Sequence, residues 1–129
     1  MAKLIFRYDY EESNLRIMTE DNQIYFCVYD IDTILSRIGK GVVKISTLDC
    51  LLYRRSHSLR YSNGIPYINL SAIFDIMTGF FVNVRYTEKY LLFTYFTNFI
   101  TQEVIPDTIK AMKEEVISNH KEENSNGGN

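Results

Sequence analysis

Apolar residues along this chain follow two periods, and the changes between them mark out its elements. Leu4-Ile5-Phe6-Arg7-Tyr8 is rich in β-forming side chains, and Asn14 to Thr19 alternates, with Leu15 and Ile17 set against Arg16 and Met18. Glu20-Asp21-Asn22-Gln23 supplies turn chemistry before a third β-rich run, Ile24 to Val28. Alternation sends neighbouring side chains to opposite sheet faces, so these runs predict strands, the second and third paired as a hairpin. Ile31, Ile34, Leu35 and Ile38 then recur at helical spacing, with Asp30 as the expected cap and Gly39 as the expected stop. Ser46, with Asp49 three residues on, resembles a capping box and predicts a short helix through Leu52.

Ser58–Tyr61 and Pro66–Asn69 flank Asn63-Gly64, a pair whose tolerance of positive φ suits a two-residue hairpin turn. Asn69 or Ser71 caps a helix containing Ile73, Phe74, Ile76 and Met77, with Gly79 expected to end it. Phe80 to Tyr86 fits either a strand or a loop. Thr87 then caps a long helix with Phe93, Phe96, Ile100 and Val104 on one face. Pro106 breaks that helix and opens another, striped by Ile105, Ile109, Met112 and Val116. Residues 119–129 hold no apolar side chain and read as a disordered polar tail. The pattern predicts an α+β fold: one domain over residues 1–118, a small, mostly antiparallel sheet of hairpins packed by helices, with a helical C-terminal third. Its expected core contains Phe26, Ile34, Leu35, Ile73, Phe74, Phe93, Phe96 and Ile100.

Composition supports a packed core, since 46% of the 129 residues are hydrophobic and 14% aromatic. A net charge of −2 excludes a histone-like polycation. Cys27 and Cys50 are too few for a disulfide framework or a four-cysteine metal site, and read as thiols in a reducing compartment. The uncharged, apolar-rich run Tyr90 to Gln102 has 13 residues, against about 20 for a membrane span. No apolar signal region follows Met1. A soluble, intracellular protein without a membrane partner is expected, in which the sequon Asn69-Leu70-Ser71 has no role.

Phosphate-loop, dinucleotide-binding, zinc-protease and nucleophile-elbow motifs are all missing from the sequence. Cys27 and His57 lack a third group to orient them, and the pairs Glu11-Glu12 and Glu20-Asp21 fall in turns. A non-enzymatic protein with no cofactor and no metal is expected. Charge is unevenly spread: residues 51–86 hold Arg54, Arg55, Arg60 and Arg85 against Asp75 alone, net +3. Arginine forks onto phosphate or guanine, and the flanking Tyr53 and Tyr61 suit stacking on bases or sugars. Arg54, Arg55, His57 and Arg60, extended by Lys40 and Lys44, are therefore candidate contacts to double-stranded DNA. The competing reading is a solvated hairpin whose arginines bridge to neighbouring acids.

A second candidate surface lies on the last helices. Leu91, Tyr95, Asn98 and Gln102 point away from the Phe93 face. Leu91 and Tyr95, with Ile109, Met112 and Val116, form a candidate partner or dimer surface. A striped helix this short is unstable alone in water, so it either folds back on the body or meets its copy in a two-fold homodimer.

Three strings, in order, resemble the BRO-N domain of phage antirepressors and of repeated-gene proteins in large eukaryotic DNA viruses. Leu15-Arg16-Ile17-Met18, Asp21-Asn22, Tyr25-Phe26 and Val28-Tyr29-Asp30-Ile31 with Leu35 follow its strand, turn, aromatic strand and helix start, with Tyr25 where the family has Trp. Tyr67-Ile68-Asn69-Leu70-Ser71-Ala72-Ile73-Phe74-Asp75-Ile76 resembles its middle string. The run from Phe96 through Glu103-Val104-Ile105-Pro106 to Lys110 resembles its closing string, with Phe99 at a Trp position. Together the strings span roughly residues 13–112. The resemblance implies a viral or prophage regulator of transcription that binds DNA, in a host cytoplasm or nucleus or in a bacterial cytoplasm. The alternative is an antirepressor-like or host-directed module that grips a repressor or another host protein.

Overall fold

Three two-residue turns lay out the sheet. A computed structural model of the chain describes residues 3–44 and 46–127. Strands β1 (Leu4–Tyr10), β2 (Ser13–Glu20) and β3 (Gln23–Cys27) run as an antiparallel meander, and β4 (Leu59–Ser62) and β5 (Ile65–Asn69) form a second hairpin. Asp21 and Asn22 take φ of 51° and 61°, and Asn63 and Gly64 take 51° and 77°, the positive pairs that two-residue type I′ turns need. The β1–β2 turn is less expected, because Glu11 carries its positive φ of 55° with neither Gly nor Asn to favour it. β5 pairs with β3, giving one five-stranded antiparallel sheet in the order β1-β2-β3-β5-β4.

Helices cover one face of this sheet. Leu15, Ile17, Ile24, Phe26 and Ile68 project there and are buried under α1 (Val28–Ile38) and α3 (Leu70–Val84). Asp30, the cap expected from the sequence, does not cap α1. Cys27 holds the N-cap position without a side-chain bond, and Asp30 sits in the first turn facing Arg16. The Arg16 Nε and Nη2 groups donate to its two carboxylate oxygens at 2.9 and 3.1 Å, and the Arg16 backbone N–H donates at 2.9 Å. Gly39 does end α1, but through close packing, since a Cβ there would stand 2.9 Å from Phe80 and from Val43. In α3 the Asn69 side chain accepts from the Ala72 N–H at 2.9 Å, which settles the choice of cap.

Two expectations for α3 fail. Gly79 lies inside the helix, which continues to Val84 and so absorbs most of the ambiguous 80–86 stretch. Burying Met77, Phe80 and Val84 on one stripe outweighs the cost of an internal glycine, about 1 kcal/mol. Phe74 is 42% exposed rather than core. The buried stripe is Ile73, Met77, Phe80 and Val84, and Phe74 lies one helical step, about 100°, off it.

The remaining helices form one nearly continuous run. Thr87 accepts from the Lys89 N–H at 3.1 Å and donates to the Val84 carbonyl at 2.9 Å, holding the corner before α4 (Tyr90–Phe99). Pro106 falls in the first turn of a new helix, as expected, but the helical run is not interrupted before it. A π-helical turn, Ile100–Val104, leads directly into α5 (Ile105–Gly127), and the Ile105 N–H bonds to the Ile100 carbonyl. The wider turn gives the proline ring room that a tight α-turn denies it. Helical backbone continues past Asn119, where the sequence suggests a polar tail; Gly128 and Asn129 lie outside the described residues. Among the described residues no helix is long and apolar enough to cross a membrane.

The second sheet face has a buried cluster that the alternation did not announce. Met18, Tyr25, Cys27 and Tyr67 are buried there, with Ile65 packed against them. Lys3, just before β1, donates to the Tyr61 carbonyl of β4 at 3.0 Å, so the outermost strands come within one lysine's reach. A five-stranded sheet meets that condition only when strongly coiled, which makes this face concave.

Among the expected core residues, all but Phe74 are buried. Phe96, fully buried against Tyr10 with ring centroids 5.1 Å apart, should lose about 3–5 kcal/mol of stability on replacement by Ala. Phe74→Ala should cost less than about 1 kcal/mol, as for an exposed site. Urea denaturation of the two variants checks the assignment, and equal losses would contradict it.

Candidate nucleic-acid interface

The basic segment is built from short elements pinned by a few buried groups. Ser46 accepts from the Asp49 N–H at 3.2 Å and starts α2 (Thr47–Asp49), which passes into a π-helical turn, Cys50–Arg54. Leu51 is fully buried and anchors that turn, while Tyr53 on its outer side is 73% exposed and Arg54 is exposed beside it. A 3₁₀ turn, Ser56–Ser58, carries exposed His57 into β4. From Lys40 to Tyr61 the chain carries Lys40, Lys44, Arg54, Arg55 and Arg60 against Asp49 alone.

The structure gathers only part of the candidate set. Arg54 and Arg55 line a cleft of about 200 Å3 against one face of α3, with Val43 on the near wall. Lys44 and Lys40, both exposed, lie on the loop that carries Val43. Arg60 belongs elsewhere: it stands opposite Tyr67 in the β4–β5 register, and its Nη1 donates to the Leu59 carbonyl at 3.0 Å. Neither Arg60 nor His57 lines the cleft. Among the described residues no carboxylate lies within 4 Å of Arg54. Arg55 meets Asp75 at 3.9 Å, a long contact between half-exposed groups, and its Nε is buried with no acceptor among the described residues.

A second group of cations was not marked out by the sequence. Arg7 on β1 stands directly opposite Arg16 on β2, on the concave face. With Tyr67, Ser62 and Asn63 they line an open groove of about 520 Å3. Like charges in register repel; Asp30 neutralises Arg16, and its hydrogen bonds raise the guanidinium pKa above its usual value. The alternation of β1, Ile5 and Arg7 against Phe6 and Tyr8, was the available signal. In the same face the Cys27 thiol is pushed up by burial, the opposite of an activated nucleophile. Among the described residues no three His, Cys, Asp or Glu side chains gather as a metal site.

The proposed partner surface also divides. Leu91 and Tyr95 are exposed on α4. Ile109, Met112 and Val116 of α5 line a separate apolar groove with Ile24 and Leu70. Met112 is half-buried, whereas Ile109, Val116 and the neighbouring Ile117 are exposed, the last two by half or more. Tyr8 fixes the start of α5, donating to Asp107 at 2.7 Å and sharing a hydrogen bond with buried Thr108 at 2.9 Å; burial raises its pKa.

Comparisons with family models, with curated proteins and with solved structures return no match.

Because neither Arg54 nor Arg55 holds a close ion pair, the double replacement Arg54→Ala/Arg55→Ala should change stability by no more than about 0.5 kcal/mol. Thermal melts of parent and variant check this; a large loss would make these arginines structural.

Proposed function

We propose that the chain is a non-enzymatic nucleic-acid-binding regulator of the BRO-N type, engaging double-stranded DNA through the Lys40–Arg55 surface. The observation that carries this reading is Arg54 with its neighbour Tyr53: an exposed guanidinium without a carboxylate partner among the described residues, beside an exposed aromatic ring. Such a pair is matched to phosphate and a base or sugar face. Arg55 shares the cleft with Arg54, Lys40 and Lys44 lie on the loop that carries Val43, and Arg60 and His57 lie outside the cleft. The family resemblance supports the same reading: its strings fall on the β2–β3–α1 unit, on the start of α3, and on the α4–α5 run.

Anisotropy of a labelled mixed-sequence duplex at several salt concentrations tests it. Binding should weaken with salt at a log–log slope of roughly −0.9 per phosphate neutralised. Arg54→Ala/Arg55→Ala should flatten the slope by up to about two units. No binding by the parent at low salt would remove the reading.

A second reading, a protein-interaction module that pairs with its own copy or with a repressor or host protein, is favoured by the α5 groove. Its walls at Ile109, Val116 and Ile117 leave apolar surface uncovered. For the homodimer, light scattering at micromolar concentration should give twice the chain mass, halved by Val116→Asp. A monomeric parent would leave the groove to a different protein.

A further inference from the structure

The cleft behind Arg54 and Arg55 is bounded by α3 residues at helical spacing, Ile76, Gly79, Phe80 and Asn83, which share one face of that helix. Gly79 is the unusual member. It sits near the middle of a helix, where glycine is unfavourable relative to alanine. Packing does not require it, because a Cβ there would meet nothing within 4 Å. A methyl group's steric effect would be to occupy cleft space. Gly39 makes the contrast, since its added Cβ would collide with Phe80 and Val43. On the opposite wall stands Arg55, whose Nε is shielded from solvent and has no acceptor among the described residues. A buried donor without a partner is costly, and a charged one more so.

We infer that this cleft is a binding site for a small oxyanion-bearing molecule, with a phosphate or carboxylate group on the Arg54 and Arg55 guanidinium groups and an apolar body against Ile76 and Phe80. Two arginines against Asp75 leave the site net positive, and Asp75, largely exposed and 3.9 Å from Arg55, is held loosely enough to yield that guanidinium to a better acceptor. The inference rests on Gly79 and the two cleft arginines and stands whether or not duplex DNA is the ligand of the outer surface. Cys50 lines the same cleft and Cys27 is fully buried, so alkylation of Cys50 reports on occupancy.

The test titrates the full chain with phenyl phosphate, benzoate and inorganic phosphate, following amide shifts at Thr47, Cys50 and Gly79 and the rate of Cys50 alkylation. The expected result is saturable binding of phenyl phosphate or benzoate, tighter than inorganic phosphate, with slowed alkylation. Gly79→Ala should raise the melting temperature and weaken binding at least tenfold; Arg55→Gln should weaken it similarly with the fold intact. No saturable shift with any probe at millimolar concentration, or a Gly79→Ala protein with a higher melting temperature and unchanged affinity, would overturn the inference. A labelled duplex run in parallel separates the sources of the oxyanion. Duplex binding retained by Gly79→Ala, while phenyl phosphate is lost, assigns the cleft to a small molecule. Loss of both assigns it to a nucleic-acid phosphate. Phenyl phosphate bound by a parent that ignores the duplex keeps the cleft and sinks the nucleic-acid reading.

Discussion

The bidentate pair between Arg16 and Asp30 joins the two halves of the fold. Arg16 projects from β2 toward the concave sheet face, while Asp30 opens the helix that covers the other face. Three hydrogen bonds between them close the step from β3 into α1. Both side chains are largely removed from solvent. Deleting one partner would strand a poorly hydrated charge, which is where the large penalties of such pairs arise. The pair also resolves a conflict in the sheet, since without Asp30 two arginines would face each other in register.

The basic surface inherits its rigidity from that frame. The segment from Thr47 to Ser58 is a run of short helical turns, anchored by buried Thr47, Leu51 and Ser58. Gly39 allows Phe80 to press close to the loop that carries Val43, which fixes the distance between α3 and the basic segment. Loops of this kind bind well because a stiff scaffold aims them. The exposed apolar groove of α5 shares no residue with the Arg54–Arg55 cleft, so the two proposed contacts need not compete for the same area.

Features encoded locally were legible in the sequence. Asn63-Gly64, Asn69 as a cap and the Ser46–Asp49 spacing each act within three or four residues, and the chain realises all of them. What escaped reading depends on distant partners. Gly79 looked like a stop because glycine usually is one, but burial of Phe80 and Val84 carries the helix through it. Pro106 looked like a break because nothing local announces a π-turn. Asp30 resembled a cap, and only the fold shows Arg16 beside it. The concave cluster of Met18, Tyr25, Cys27 and Tyr67 needs the coiling of the whole sheet, which no period in the sequence encodes. Within the site, the run of arginines was visible, but not that Arg60 would turn to the other face of the sheet.

The bond from Tyr8 to Asp107 spans 99 residues, whereas three of the four strand pairings join neighbours across two-residue turns. Contacts of such different range form on different timescales. Hairpins close in microseconds, while long-range closure first pays a larger loop entropy. The β1–β2–β3 meander and the β4–β5 hairpin are thus early structures, joined next by β3 with β5 and by α1. Docking of α5 through Tyr8 and Thr108 should come late, and that helix should open first in the native state. Amide exchange along the chain should then divide at Asp107, with slow protons in the sheet and faster ones in the helix that follows.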